Sequence, residues 1–153
     1  MFLPLFPQKS MFSVGDLFLI NSLSAEDAMA QLQLSTQEMV RVSIYGGYDP
    51  LCIDVEGTIE FCRLCVSQKK WATPVLPIDY GACMRVQNLG APMMEIELSH
   101  PFLEKGIMRP LLVEKIIEDM NIPIWAGGSF SSQDHEILRS WGVHRIINYR
   151  IET

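Results

Sequence analysis

The sequence predicts an α/β fold of parallel β/α repeats, incomplete and TIM-barrel-like with about six strands, or alternatively an open sheet. Six apolar or alternating runs with strand character are separated by five segments with helical periodicity. Such alternation is typical of a parallel sheet joined by helices. A closed eight-stranded barrel takes roughly 200 residues or more, whereas the chain has 153 residues, of which 48% are hydrophobic. That length suits one domain with a substantial core.

The clearest local signals lie in the closing unit of the chain. An apolar run at 122–126 predicts a strand, and Gly127 and Gly128 predict the turn that ends it. Ser131 and Asp134 have the spacing of a capping box, in which a hydroxyl and a carboxylate satisfy free N–H groups at a helix start. Gly142 suits the end of that helix, and a second strand follows at 143–148. The glycine turn therefore lies at the sheet edge where β/α folds bind ligands.

The rest of the chain divides into an irregular N-terminal arm at 1–14, which has two prolines, and a single β/α domain at 15–153. The other predicted strands are at 16–21, 40–45, 73–78 and 93–98. The other predicted helices are at 24–33, 54–67, 80–89 and 111–120. A proline at position 110 suits the first turn of the last of these helices. Turns are predicted at 46–50, and a loop at 102–109.

Composition excludes several classes of protein. The formal charge of −6 and the absence of a basic stripe argue against a nucleic-acid partner. No apolar run approaches the roughly 20 residues of a membrane span, and the apolar N-terminus lacks the positive region of a signal peptide. Four cysteines without regular spacing indicate reduced thiols in the cytoplasm. Cys62 and Cys65 form a CxxC without a second such pair, so we expect buried helix thiols and neither a metal nor a cofactor.

Strand alternation predicts one buried ion pair. In VRVSIY at 40–45, Arg41 and Ser43 lie on the face opposite the valines, and in MMEIEL at 93–98 Glu95 and Glu97 do the same. Apolar faces should meet the helices, so these charges share the other side of the sheet, where an unpaired charge is costly. We therefore expect Arg41 to pair with Glu95 or Glu97. The role of these charges has three alternatives: a structural pair, a solvated face of an incomplete sheet, or a ligand site.

The order of segments from about residue 17 to the end resembles bacterial thiazole synthase, the barrel that builds the thiazole ring of thiamine. The resemblance rests on Leu19, Asn21 and SAEDA at 24–28, on VRVSIYGG at 40–47, on DVEGTIE at 54–60, and on the stretches at 90–107 and 122–151. The matched segments correspond to strands three to eight of that family. The resemblance implies a barrel that lacks its first two strands, with a phosphosugar ligand and a small sulfur-carrier protein as partner.

The resemblance also implies candidate catalytic positions. The family's lysine, which forms an imine with 1-deoxyxylulose 5-phosphate, corresponds to Arg41, and its neighbouring glutamate corresponds to Ser43. A guanidinium stays protonated and cannot act as an amine nucleophile. Glu97, together with Glu95, and Lys105 are the groups that another chemistry could use.

The family's phosphate cup is kept only in part. Gly106, Gly127, Gly128 and Asn148 persist as phosphate-binding candidates, while Glu104 stands where it would repel a phosphate. The alternative is that these four residues serve turn geometry and a strand end.

Three hypotheses follow. The leading one is a thiazole-synthase-like β/α-barrel protein of thiamine biosynthesis, without imine-forming activity, that binds a partner. The second is an active thiazole synthase, or another enzyme that binds a phosphosugar. The third is an assembly protein that uses an exposed sheet edge, with a homo-oligomer as one form of it.

Overall fold

A computed structural model describes residues 11–14, 17–20, 25–32, 40–44, 53–70, 72–99 and 106–148. These ranges contain seven strands and five helices. The strands are β1 (Met11–Val14), β2 (Leu17–Ile20), β3 (Val40–Ile44), β4 (Ala72–Leu76), β5 (Met94–Glu97), β6 (Ile124–Gly128) and β7 (Arg145–Asn148). The helices are α1 (Ala25–Leu32), α2 (Val55–Ser67), α3 (Tyr80–Asn88), α4 (Pro110–Asp119) and α5 (Ser132–Trp141).

The strands form one sheet whose order, β1 to β7, follows the chain. β1 and β2 are antiparallel, and every later neighbour pair is parallel. Parallel crossovers are right-handed almost without exception, so an order that never reverses places all connecting helices on one face. This confirms the predicted α/β class with parallel repeats. In the described residues the sheet is open, with β1 and β7 at its edges, and a closed TIM barrel is not formed.

The core lies between the sheet and the helices. Its larger cluster joins α2, α3, α4 and α5 to β4, β5 and β6, and a smaller cluster joins α1 and α2 to β3. The strand residues in both clusters have even numbers, among them Val42, Leu76, Ile96 and Ala126. The apolar faces therefore meet the helices, as the alternation predicted.

Local capping signals are confirmed at three helix ends. Asp54 caps α2 by accepting a hydrogen bond from the Gly57 N–H at 3.0 Å. Ser131 and Asp134 form both hydrogen bonds of the capping box at the start of α5. Gly142 ends α5 with a φ of 94°, a left-handed conformation that glycine adopts without steric cost.

Two expectations about the ends of elements are wrong. The irregular arm at 1–14 was expected to contain no strand, yet Met11–Val14 pairs with β2 as β1, while residues 1–10 lie outside the described residues. The intervening Gly-Asp dipeptide is a hairpin signal that outweighs the arm's lack of periodicity. Gly127 and Gly128 were expected to end a strand, but β6 continues through both, because β5 and β7 flank it on either side. The predicted turn at 46–50 and the first half of the loop at 102–109, residues 102–105, lie outside the described residues.

Candidate functional site

The sheet has an inner face, which we define as the side turned away from the helices. Register and alternation place the odd-numbered strand residues there. In the described strands β3 to β7 the inner face consists of Arg41, Ser43, Thr73, Val75, Glu95, Glu97, Trp125, Gly127, Arg145 and Ile147. Seven of these ten residues have polar or charged side chains or a ring N–H, which is unusual for a sheet surface that is largely buried.

A buried ion pair lies at the centre of the inner face. Arg41 Nε donates to Glu95 Oε1 at 2.5 Å and Arg41 Nη2 donates to Glu95 Oε2 at 2.7 Å. The two side chains are 3% and 0% exposed. β3 and β5 are separated by β4, a distance of about 10 Å, so both long side chains must reach across that strand. The predicted pairing of Arg41 with one of the glutamates is confirmed, and the partner is Glu95.

Glu97 lies two residues after Glu95 on β5, next to this ion pair. It is partly exposed and forms no hydrogen bond or ion pair with the described residues. Its register partner on β6 is Gly127, which has no side chain, so space is left beside the carboxyl. Burial, together with the charge of Glu95, raises the pKa of Glu97 to about 8, against an ordinary value of 4.5, although Arg41 opposes the shift. At neutral pH this carboxyl is therefore protonated and can donate a hydrogen bond.

Three buried polar side-chain atoms lack a hydrogen-bond partner among the described residues. Within the described residues the side-chain atoms Thr73 Oγ1, Trp125 Nε1 and Ser129 Oγ are buried and have no hydrogen-bond partner. Thr73 pairs in register with Arg41 and Trp125 pairs with Glu95, so both lie on the inner face, whereas Ser129 lies just past the end of β6. Because buried polar groups are nearly always hydrogen-bonded, these three atoms indicate a bound ligand or ordered water.

Two other inner-face residues, Arg145 and Ser43, make contacts near the ion pair. The guanidinium carbon of Arg145 lies 4.9 Å from the ring centroid of Trp125, a cation–π contact at the exposed end of the face. Ser43 is buried, and its Oγ lies 3.5 Å from the Val75 carbonyl oxygen, which is a weak hydrogen bond. Arg41, Ser43 and Glu97, the three catalytic candidates, are thus on one face.

The four phosphate-binding candidates also converge, at the carboxyl edge of β5 to β7. Asn148 Oδ1 accepts from the Phe130 N–H at 2.9 Å, and the Gly106 N–H donates to the Ser129 carbonyl at 2.8 Å. The Ser129 N–H donates to Ser99 Oγ at 2.8 Å. The backbone donors that follow β6 are therefore satisfied within the protein. Gly127 and Gly128 lie within the strand itself.

Sequence reasoning missed Thr73, Ser99, Trp125 and Ser129. The alternation that revealed Arg41 and Glu95 would have placed Thr73 and Trp125 on the same face, since each has the right parity in its strand. Ser99 and Ser129 follow strand ends, and only the tertiary structure brings them together. Lys105 lies outside the described residues.

The cysteines of the described chain are structural. Cys62, Cys65 and Cys83 are buried free thiols, as expected for the CxxC. Burial raises the pKa of Cys62 to about 11 and those of Cys65 and Cys83 to about 12, so these thiols stay protonated. Across the residues that the structure describes, no group of His, Cys, Asp and Glu could hold a metal ion. No helix in those ranges has the length and apolar character needed to cross a membrane.

Comparison with known proteins supports the fold. No family model matches the chain, and no curated protein matches it. Among solved structures, a chain of the BexX/CysO complex of Amycolatopsis orientalis is similar, with a TM-score of 0.68 and 20% sequence identity. The alignment covers 86% of this chain and 57% of that chain, so this protein spans little more than half of the length of the one it matches.

These comparisons contradict the expected relationship to bacterial thiazole synthase, which was wrong. No family model supports it, and the similar solved structure is described as a BexX/CysO complex. The segments that suggested the resemblance are short apolar strands and glycine pairs, and such segments recur wherever a strand is buried between helices and a polar face. At 20% identity, the comparison establishes that this chain has the α/β fold of a protein solved together with another protein.

Proposed function

We propose that this chain is a β/α binding domain whose inner face takes a small, neutral, hydroxyl-bearing ligand such as a sugar or polyol. The observation that carries the proposal is the presence of Thr73 Oγ1 and Trp125 Nε1 on the inner face, both buried and without described partners. A ligand hydroxyl can both donate and accept, so separate hydroxyls of one ligand can satisfy the Thr73 hydroxyl and the Trp125 ring N–H.

The charge balance of the inner face favours a neutral ligand. Arg41 and Glu95 neutralise each other in a bidentate pair. Glu97 is protonated at neutral pH because its pKa is raised to about 8. Desolvating a ligand charge beside these groups would need a further counter-charge, and Arg145, at the exposed end, already lies over Trp125.

The predicted phosphate site receives less support from the geometry. The Ser129 and Phe130 N–H groups, which would hold a phosphate, donate to Ser99 and Asn148. A Cβ built on Gly106 would lie 3.9 Å from Asp134 Oδ2, so a carboxylate is next to the place where the anion would sit. A phosphosugar ligand at Gly106, Gly127, Gly128 and Asn148 stays a prediction, and the same experiment tests it.

The test is a titration of the full chain with ribose, ribitol and ribose 5-phosphate, followed by calorimetry and by the melting temperature. We expect saturable binding of ribose or ribitol, with ribose 5-phosphate no tighter. Thr73→Val should weaken that binding by about tenfold, because a good hydrogen bond contributes roughly 1.5 kcal/mol. The free variant should be at least as stable as the wild type, since it loses a hydroxyl that has no described partner.

Ser140→Ala on the exposed side of α5 is the matched control and should leave binding unchanged. Tighter binding of ribose 5-phosphate than of ribose would replace the neutral ligand with a phosphosugar. If none of the three compounds binds, ordered water fills the inner face and the proposal is wrong.

A second candidate function, binding of a protein partner, is favoured by β7. Within the described part of the chain this strand is at the edge of the sheet, and its four residues are half-buried or exposed. An edge strand presents unpaired N–H and C=O groups that can pair with a strand of another chain. The similar solved structure is itself a complex of two proteins. We infer that the partner is a small sulfur-carrier protein, a partner class that only the sequence resemblance implied.

Native mass spectrometry with CysO of Amycolatopsis orientalis as the probe tests this candidate. A one-to-one complex that Arg145→Glu weakens, while Arg139→Glu on α5 does not, would support pairing at β7. A homodimer of the chain alone that Arg145→Glu dissociates would identify a second copy as the partner. A monomer that does not bind the probe would contradict the sulfur-carrier inference.

A further inference from the structure

A cavity of about 260 Å³ lies between the end of α2 and the start of β4, on the helix side of the sheet. Its wall is formed mainly by Cys62, Cys65, Val66 and Ala72. Lys69 and Lys70 also line it, and since Lys69 is exposed and Lys70 half-buried, they lie at its solvent side. The cavity is separate from the inner face, because Ala72 faces the helices.

The wall of the cavity is apolar in chemical terms. Burial raises the pKa of both thiols, to about 11 for Cys62 and about 12 for Cys65, so they are neutral and protonated. Protonated buried cysteines behave as small hydrophobic groups. The wall therefore suits a hydrocarbon chain and offers nothing to a polar one.

Backbone hydrogen bonds at the end of α2 fix the main chain at the two lysines. The Lys70 N–H donates to the Cys65 carbonyl at 2.9 Å and the Lys69 N–H donates to the Val66 carbonyl at 3.2 Å, which is the pattern of a Schellman motif. Lys69 has a φ of 56° at the position where glycine is usual. Neither ammonium forms an ion pair with a residue of the described chain, so both are free to bind an anion.

We propose that this cavity binds a short aliphatic carboxylate, with the hydrocarbon chain against Cys62, Cys65, Val66 and Ala72 and the carboxylate at Lys69 and Lys70. A water-sized group occupies about 30 Å³, so 260 Å³ has room for roughly eight non-hydrogen atoms. Hexanoate has that size. The two lysines provide local positive charge in a protein whose formal net charge is −6, which makes the site selective for anions over the rest of the surface.

The test is calorimetric titration of the full chain with hexanoate and, separately, with hexanol. We expect saturable binding of hexanoate with a Kd of roughly 1 mM or below, as suits so few atoms, and weaker binding of hexanol. The double variant Lys69→Gln/Lys70→Gln should lose about five- to thirty-fold in affinity, because each partly exposed ion pair contributes little on its own. Lys115→Gln, which removes a lysine ion-paired with Asp119 elsewhere, is the matched control and should bind as the wild type does.

Ala72→Val, which fills the cavity with two further carbons, should abolish binding. If that variant fails to fold, the methyl resonances of Ala72 and Val66 in the wild type locate the ligand instead, and both should shift with hexanoate. Equal affinity for hexanol, full affinity in the double lysine variant, or shifts confined to other residues would each overturn the proposal.

Discussion

Arg41 and Glu95 lie two strands apart and are almost wholly removed from water, yet they form two hydrogen bonds to each other. Removing two charges from water costs several kcal/mol per ion, and only close, bidentate geometry offsets that cost. Glu97, two residues along the same strand, has no such partner among the described residues and is protonated instead. Of these two glutamates on one strand face, Glu95 binds the guanidinium and Glu97 holds a proton.

Substitution of Arg41 tests whether the pair is structural. Arg41→Met should lower the free energy of unfolding by about 3–5 kcal/mol, because Glu95 loses its bidentate partner while it stays buried. Adding Glu95→Gln should recover part of that loss. Arg85→Met is the control, since Arg85 pairs with Glu56 in an exposed ion pair and should change stability little. Urea unfolding measures all of these, and an unchanged Arg41→Met would show that the pair is not buried in solution.

The raised pKa of Glu97 predicts that the stability of the folded chain depends on pH. Its pKa is about 8 in the folded chain and near 4.5 otherwise, so the folded state holds a proton that the unfolded state releases. Stability is therefore highest below about pH 4.5 for this group and falls as pH rises to about 8 and beyond. Between pH 5 and 9 Glu97 should account for a loss of roughly 2–4 kcal/mol.

Glu97→Gln should remove this slope while it keeps the size of the side chain. Chemical unfolding of the wild type and of the variant at several pH values between 5 and 9 measures the difference. Parallel pH profiles would mean that Glu97 is ionised and solvated in the folded chain.

At the scale of elements, β6 shows how sheet pairing overrides a local signal. Two successive glycines usually end a strand, yet Gly127 pairs with both β5 and β7, and Gly128 pairs with β7. A Cβ at Gly128 would lie 2.5 Å from Ser99 Oγ and 2.8 Å from a Phe130 ring carbon. The glycine is there because Ser99 must come close enough to accept from the Ser129 N–H.

Gly128→Ala should therefore destabilise the chain by about 1–3 kcal/mol, the usual cost of overpacking. Gly81→Ala on α3 is the matched control, because its added Cβ would meet only Asp79 Oδ1, at 3.5 Å. That control should be neutral or stabilising by up to about 1 kcal/mol, since alanine restricts the unfolded chain more than glycine does. Thermal unfolding compares the two variants, and equal melting temperatures would contradict the close packing at Ser99.

At the scale of the whole molecule, the sheet has a well-packed centre and an open edge. β5 and β6 each have a strand on both sides and pack into the larger core cluster. Among the described strands β7 has a neighbour on one side only, and its residues are half-buried or exposed. Local stability should therefore fall from the centre of the sheet toward β7.

Amide hydrogen exchange measures that gradient. Amides of β5 and β6 should exchange at least about tenfold more slowly than those of β7, because the centre opens only with global unfolding. Equal protection of β7 and β5 would show that another chain, such as a second copy, covers the edge. Repeating the measurement at low protein concentration distinguishes that case, since the protection of β7 should then disappear.

Much of this architecture is predictable because its causes are local. The capping box at Ser131 and the alternation around Arg41 depend on residues a few positions apart, so element order, helix ends and the faces of the strands follow from the sequence by itself. The class of fold, the parallel repeats and the Arg41–glutamate pair were determined at that level.

The remaining features of the fold and of the inner face depend on contacts between residues that are distant in the chain. Strand register decides which glutamate pairs with Arg41 and places Thr73 and Trp125 on one face. Pairing with β7 decides that Gly128 continues the strand. The openness of the sheet was likewise decided by tertiary structure, because pairing between strands far apart in sequence leaves no local pattern. The sequence determined which side chains face inward, and only the tertiary structure decided which of them meet.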